Sequence, residues 1–515
     1  MKVYQQFLLL VLAIFLASCG NSEKDPNQRH LDDPAEPALP ATCSNNDTRK
    51  GLTACGHRDV GLLTQTCVDN TWVDTDQCDM QCAGNWRNMR IRLLDFSNIP
   101  DRNLSQQMLG FVDQAIERLQ NTLKVRHSDM PLKLNQASCV DIDIAQSWRT
   151  NGFDDTDFAV FLDNTNDSCN AGTLAWATAC DWDQAGRPIA MRLNMCDRFT
   201  SSPEPVTDVD TLEHEMIHGL GFSPRHYDDY VGCDGERLTD VEATTRLATN
   251  QFGEVYQEVT TGRAVTWAQN YFGCDSLTGV PLEDDGARGT ASAHWEQRIF
   301  THETMSSAQY GPTKLSGLTL AFLEDTGWYQ PIYDRAGDLY LGKGQGCGFI
   351  DAGSPQEYSF DYCGDLDSHG CLPDGIHRGL CTIVDYSGEI LPEPFRHFGN
   401  GDQQGPEVTE FFPFRTQPAG FTSVGFHHAC TDVRGATLLP RNFGEVWGDE
   451  SRCFTGIDQF SGARTGLCYE SVCRDDHLAV VYEGVEYICP QEGGSMGIPF
   501  QNVELICPQF ARICQ

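Results

Sequence analysis

The segment Thr211-Leu-Glu-His-Glu-Met-Ile-His-Gly-Leu-Gly-Phe222 carries the residue types best suited to chemistry in this 515-residue chain. His214 and His218 stand four positions apart, so on a helix they share a face and both imidazoles can reach one ion. Glu215 follows the first histidine and can lean over an open coordination position, where a water awaits a base. His-Glu-x-x-His is the spacing of a helix-borne catalytic zinc, with His214 and His218 as metal ligands and Glu215 as the catalytic carboxylate. An ordinary amphipathic helix with two surface histidines has the same spacing, so the rest of the chain has to separate the two readings.

A catalytic zinc needs a third protein ligand. In the compact pattern His-Glu-x-x-His-x-x-Gly-x-x-His, Gly221 is in place but the third histidine position holds Pro224, and His226 lies two residues further on. A downstream glutamate would also satisfy zinc, although Gly221 argues for the histidine pattern. The stronger candidate is His294, 76 positions after His218, within Gly289-Thr-Ala-Ser-Ala-His-Trp-Glu296 and ahead of Glu303-Thr-Met-Ser306.

These segments resemble the leishmanolysin family of metzincin-type zinc metallopeptidases. In that family an insertion separates the helix-ending glycine from the third histidine, and a methionine turn follows. The resemblance implies one catalytic Zn2+ held by His214, His218 and His294, with Met305 packed beneath it. Further segments also look like the family: Thr173-Leu-Ala-Trp-Ala-Thr-Ala-Cys180, Gly186-Arg-Pro-Ile-Ala190, Leu318 to Tyr329, and Gly344-Gln-Gly-Cys-Gly-Phe-Ile350. The wording Glu303-Thr-Met-Ser306 departs from the family's commonest turn, and no typical propeptide with a switch cysteine is seen. The activity implied is hydrolysis of peptide bonds in extracellular proteins or peptides through a zinc-bound water activated by Glu215. The rival readings are a zinc amidase acting on cell wall and a non-catalytic surface adhesin that retains the fold.

Several elements must position these residues. Met89, Ile91 and Leu93 alternate with polar residues as a half-buried strand does, and the apolar residues between Ser105 and Lys124 recur at helical spacing. Phe158 to Leu162 reads as a buried strand. Leu174–Ala177 and Ile189–Leu193 read as a hairpin around a turn-rich Asp181–Pro188 segment. Asp208 or Asp210 is available to cap the histidine helix, and Gly221 to end it. The fold class is α+β: a metzincin-like catalytic domain with a mixed sheet and active-site helix over residues 85–335, then a disulfide-rich C-terminal domain over 336–515. Residues 348–515 hold ten cysteines, many glycines and prolines, and weak periodicity, so few regular elements are expected there.

The amino-terminal stretch speaks to compartment. Lys2 precedes an apolar run, Phe7 to Ala17, too short to span a bilayer but suited to a signal peptide. It ends in Leu16-Ala-Ser-Cys19, which resembles the lipobox of bacterial lipoproteins; that resemblance implies lipidation of Cys19 and anchoring at the outer membrane or cell surface, with plain secretion as the alternative. Setting Cys19 aside leaves 22 of the 23 cysteines, an even number suited to disulfide pairing. Residues 20–42 are polar and proline-punctuated, a tether. Residues 43–84 carry five cysteines with few apolar residues, a small stapled module, spacer or weak adhesive unit. Within it Cys55-Gly-His-Arg-Asp59 resembles the inhibitory cysteine switch of some zinc proteases. The net charge of −37 argues against nucleic acid and anionic membrane surfaces as partners. Acidic residues also suit calcium, although no EF-hand spacing is present. Oligomeric state is not readable from the sequence.

Overall fold

The computed structural model describes residues 44–514 apart from 47, 56–60, 80–85, 95–105, 127–129, 166–167, 170–172, 198, 200–204, 232–243, 287–288, 364–368, 390, 400–401, 417–428, 434–442, 492 and 499–501. The signal segment, Cys19, the tether and residues 56–59 of the Cys55 segment lie outside the described residues.

Four strands build the sheet that carries the site: β1 (Ile91–Leu94), β2 (Phe158–Asp163), β3 (Ala175–Trp182) and β4 (Pro188–Met195). Their order is β3-β4-β2-β1, so β3 forms an edge. β3 runs antiparallel to β4 with Ala177 opposite Leu193, while β4 and β2, and β2 and β1, run parallel. The sheet is therefore mixed. β2 is buried at every position, which is why it reads as an unbroken apolar run without alternation. The hairpin turn is shorter than Asp181–Pro188, because Asp181, Trp182 and Pro188 belong to the strands. Asp183 closes it, its carboxylate accepting from the amides of Ala185 (2.9 Å) and Arg187 (3.0 Å).

Helix α1 (Gln106–Thr122) buries Met108, Phe111, Val112, Ala115 and Leu119, the i, i+3, i+4, i+7 stripe that its sequence displays. Loss of one such contact, as in Leu119→Ala, costs about 2–5 kcal/mol. Helix α2 (Pro205–Leu220) carries the His-Glu-x-x-His segment and packs against α1, β3 and β4. It begins earlier than a cap at Asp208 or Asp210 allows. Pro205, with its φ already helical, occupies the first position; Asp208 falls in the first turn and Asp210 lies further inside. Asp210 instead accepts from Arg118 of α1 (2.8 Å) and from the Thr313 amide (2.9 Å). Gly221 ends the helix with φ 125°, and a Cβ there would sit 2.8 Å from the Trp328 ring.

Between the histidine helix and His294, the chain adds an antiparallel hairpin (Thr245–Thr249 with Val255–Val259) and a helix at Gly262–Phe272. Gln297–Phe300 and Gly317–Asp325 are helical and follow His294. The main core runs from Met89 to Phe414, so residues such as Leu341, Phe349, Tyr362 and Phe412 pack with it. A Cys274–Cys347 disulfide adds a covalent tie across the same region.

The C-terminal region is more regular than its glycines, prolines and weak periodicity suggest. Six antiparallel strands between Ser451 and Cys507 form one sheet over a second core that includes Phe454, Leu467, Tyr469, Val480 and Leu505. All ten cysteines after residue 348 are paired, as 363–381, 371–453, 430–468, 473–514 and 489–507. Four of the five pairings in that sheet join strands adjacent in sequence, and disulfides reinforce it, so the strands hold together without a strong apolar period of their own. In the amino-terminal module Thr48–Cys55, Gly61–Val68 and Thr71–Asp79 form a three-stranded antiparallel sheet around buried, disulfide-bonded Cys67.

Candidate metal centre

α2 turns His214 and His218 to the same side, as the i, i+4 spacing requires, and a distant loop brings His294 onto them. The three Nε2 atoms lie 3.0 Å (214–218), 3.1 Å (218–294) and 3.2 Å (214–294) apart. Each ring is fixed from behind. The Nδ1–H of His214 donates to the Thr304 carbonyl (2.6 Å), that of His218 to Phe222 (2.7 Å) and that of His294 to Thr290 (2.9 Å). With the proton on Nδ1, every Nε2 presents a lone pair to the same point.

Three lone pairs at 3 Å repel unless a cation lies between them. Tetrahedral ligands at about 2.0–2.1 Å from zinc stand about 3.3 Å apart, so the triad fits that ion closely. The rings are also neutral, as ligands must be. Burial depresses all three: His214 well below its ordinary value, His218 to about 4 and His294 to about 3, with the neighbouring histidines pushing His214 and His294 further.

Glu215 is fully buried, and among the described residues neither carboxylate oxygen has a hydrogen-bond partner. Burial pushes its carboxyl up to about 8. The Ala177 amide of β3, which points toward it without closing a hydrogen bond, offsets little of that. Glu215 therefore lies between the histidine helix and the edge strand.

Met305 is fully buried in the main core, inside a turn that serves two ligands at once. Its neighbour Thr304 holds the His214 ring, and its own carbonyl accepts from the amide of Trp295 (2.9 Å), the residue after His294. The turn is itself shaped by Glu303, a residue the sequence left without a role. Glu303 accepts from the Met305 amide, from the Ser316 amide (3.1 Å) and hydroxyl (2.8 Å), and from the Thr319 hydroxyl (2.6 Å). Nothing in local spacing marks it; its place two residues before the buried methionine was the available clue.

His226 does not join the triad. It is buried between the rings of Trp182 (6.0 Å) and Trp328 (6.3 Å), with Asp229 3.5 Å from its Nδ1. The compact spacing is thus unused, and the insertion supplies the third histidine.

A buried three-histidine metal centre, with two ligands and a carboxylate on one His-Glu-x-x-His helix of a mixed α+β fold, defines a class of zinc-site proteins. Within that class the chain belongs to the leishmanolysin family of peptidases, whose profile matches residues 100–515. Similar curated proteins include a leishmanolysin-like peptidase of Caenorhabditis briggsae, 27% identical over 399 residues, covering 64% of this chain and 60% of the relative. Another is that of Drosophila pseudoobscura pseudoobscura, 27% identical over 421 residues (67% and 61%). Leishmanolysin of Leishmania major is 25% identical over 376 residues (70% and 59%). The chain thus spans about three fifths of the length of these relatives.

Proposed function

We propose that this protein is a zinc-dependent endopeptidase in which His214, His218 and His294 hold the ion and Glu215 is the general base. Bound zinc supplies Lewis acidity, lowering the pKa of a water and stabilising negative charge on a peptide carbonyl oxygen. Glu215 takes the proton of the attacking water and passes it to the leaving amine. The observation that carries this reading is the buried Glu215 carboxylate with no hydrogen-bond partner among the described residues. A purely structural metal site has no use for such a group beside its ligands, whereas a general base must keep its oxygens available for substrate water.

Substrate backbone is proposed to lie along β3, an edge strand whose Ala177 amide points toward Glu215. Main-chain pairing there would hold an extended peptide with its carbonyl at the centre. The metzincin character, extracellular protein substrates, the domain division at residues 85–335 and 336–515, and lipid anchoring through Cys19 belong to the same proposal. Anchoring rests on the Leu16–Cys19 pattern alone, and incorporation of labelled palmitate lost in Cys19→Ala tests it.

Cleavage of denatured casein or gelatin by the full chain, beside Glu215→Ala, tests the activity. The expected result is chelator-sensitive cleavage that falls by about 10²–10⁴-fold in the variant while zinc stays bound. Cleavage that survives in the variant, or a folded, zinc-loaded chain that cuts nothing, would overturn the assignment.

A further inference from the structure

The loop that follows the histidine helix folds back onto β3, whose outer edge has no strand partner among the described residues. Three contacts brace the loop over residues 223–229. The His226 ring lies between Trp182, the last residue of β3, and Trp328. The Tyr227 hydroxyl donates to the Ser292 carbonyl (2.8 Å), two residues before His294. Gly186 in the β3–β4 turn packs so closely that a Cβ there would lie 3.5 Å from the Asp229 carbonyl oxygen. Arg225 is half-buried and directly precedes the first of these anchors, so the backbone from which its guanidinium projects is fixed. Its Nη1 lies 3.5 Å from the Thr178 hydroxyl, one residue along β3 from Ala177.

Residues directly opposite each other on paired strands point their side chains to the same face, with Cβ atoms about 4.5–5.5 Å apart. A peptide paired along β3 therefore brings the side chain opposite Thr178 to the face where Arg225 lies. Ala177 precedes Thr178 and its amide points toward Glu215, so that substrate residue stands within about two positions of the bond being cut. A guanidinium carries five donors in a planar fork, and the neutral Thr178 hydroxyl cancels none of its charge. A substrate carboxylate can accept two of those donors side by side, whereas a substrate ammonium would meet like charge.

We propose that Arg225 is a specificity-determining residue that selects peptides carrying glutamate or aspartate close to the cut bond. This rests on the peptidase reading with substrate along β3. The selection is local and opposes the chain's net charge of −37, which repels acidic peptides at a distance. At about 0.15 M salt that field is screened beyond about 8 Å, while a contact at Arg225 lies well inside this range. The preference for acidic peptides should therefore be plain at physiological salt.

In the test, the full, zinc-loaded chain first cuts casein, and mass spectrometry of the fragments locates the cut bonds. Quenched fluorescent peptides built on one such sequence then carry Glu, Gln or Lys in turn at the positions flanking the bond. The expected result at about 0.15 M salt is a kcat/KM at least about tenfold higher for Glu than for Lys at one of these positions, the gain of one charge-assisted contact. Arg225→Gln should bring that ratio to within about twofold of unity, Arg225→Glu should invert it, and Arg225→Lys should keep its direction. A merely structural role would slow all the peptides together and leave the ratio alone. Zinc content shows which variants are folded, and the ratio in the unmodified chain keeps the test decisive if one is not. Equal rates for the Glu and Lys peptides at every position, or an unchanged ratio in Arg225→Glu, would overturn the assignment of Arg225 alone. A folded, zinc-loaded chain that leaves casein intact would instead overturn the peptidase reading, and this proposal with it.

Discussion

His214 and His218 are placed by one turn of a single helix, whereas His294 is placed by hydrogen bonds within the segment between Glu283 and Met305. The His218 ring bonds to Phe222, four residues on, so the support behind the ring is local. His294 depends on Thr290 behind its ring, on Glu283 at its carbonyl, and on Met305 holding the next residue. Both halves are equally buried and equally neutral. The difference teaches where accuracy comes from. A helix fixes ligand spacing through its own repeat, but a loop ligand is only as well placed as the hydrogen bonds around it. The two halves meet at the methionine turn, since Thr304 also holds His214.

The largest effects should come from the ligands themselves, and here the halves should differ in structure more than in activity. His218→Ala and His294→Ala should each abolish tight zinc binding and lower peptidase activity by about 10³-fold or more, read by zinc content and casein cleavage. Amide exchange should separate them. Residues 211–220 should stay protected in His218→Ala, because the helix is held by its core face. Residues 289–296 should lose protection in His294→Ala. Equal loosening of both segments would break the comparison.

Next in size is Glu303→Gln. The buried carboxylate accepts four hydrogen bonds, and an amide cannot accept them all without turning a donor toward another donor. Stability should fall by about 2–3 kcal/mol. Zinc affinity should fall by about 10–100-fold, the range seen when support of metal ligands is lost. A competition titration with a chelator measures this. An unchanged affinity would show that the turn is held without Glu303.

The same contrast explains what could be read in advance. Met108, Phe111, Val112, Ala115 and Leu119 announce α1 because one buried face imposes its period on the chain. The histidine pair and Glu215 are legible for the same reason. Local spacing does not announce His294; its neighbourhood was legible only by likeness to a family. Glu303 was missed because its partners, Ser316 and Thr319, are more than ten residues away and share no pattern with it. The start of α2 was misplaced because two aspartates in a helical stretch resemble caps when the upstream proline is overlooked. The C-terminal sheet was under-read because its hairpin strands are stapled by disulfides and carry little apolar alternation of their own.

Gly221→Ala probes a place where the local half meets the rest of the fold. At φ 125° an added Cβ is strained, and it would meet the Trp328 ring at 2.8 Å. Stability should fall by about 1–3 kcal/mol, measured by chemical unfolding. Because the next residue, Phe222, holds the His218 ring, zinc affinity should fall as well. A stable variant that binds zinc normally would mean the turn relaxes without moving that carbonyl.

Arg118→Ala should have the smallest effect and is the sharpest control. Arg118 reaches from α1 to Asp210 (2.8 Å) and Glu213 (3.1 Å) on the histidine helix, so it is one long-range support of the local half. Its side chain is 44% exposed, which screens the ion pairs. Asp210 keeps its bond from Thr313, and Glu213, already pushed up to about 7 by burial against the pull of Arg118, can take a proton when the arginine is gone. The expected loss is therefore about 1 kcal/mol of stability with less than about threefold change in zinc affinity. If the comparison is right, removing support from the helix leaves the His214–His218 spacing intact, because the spacing belongs to the helix. A loss of zinc affinity as large as that of Glu303→Gln would mean that the helix, too, needs its neighbours to place its ligands.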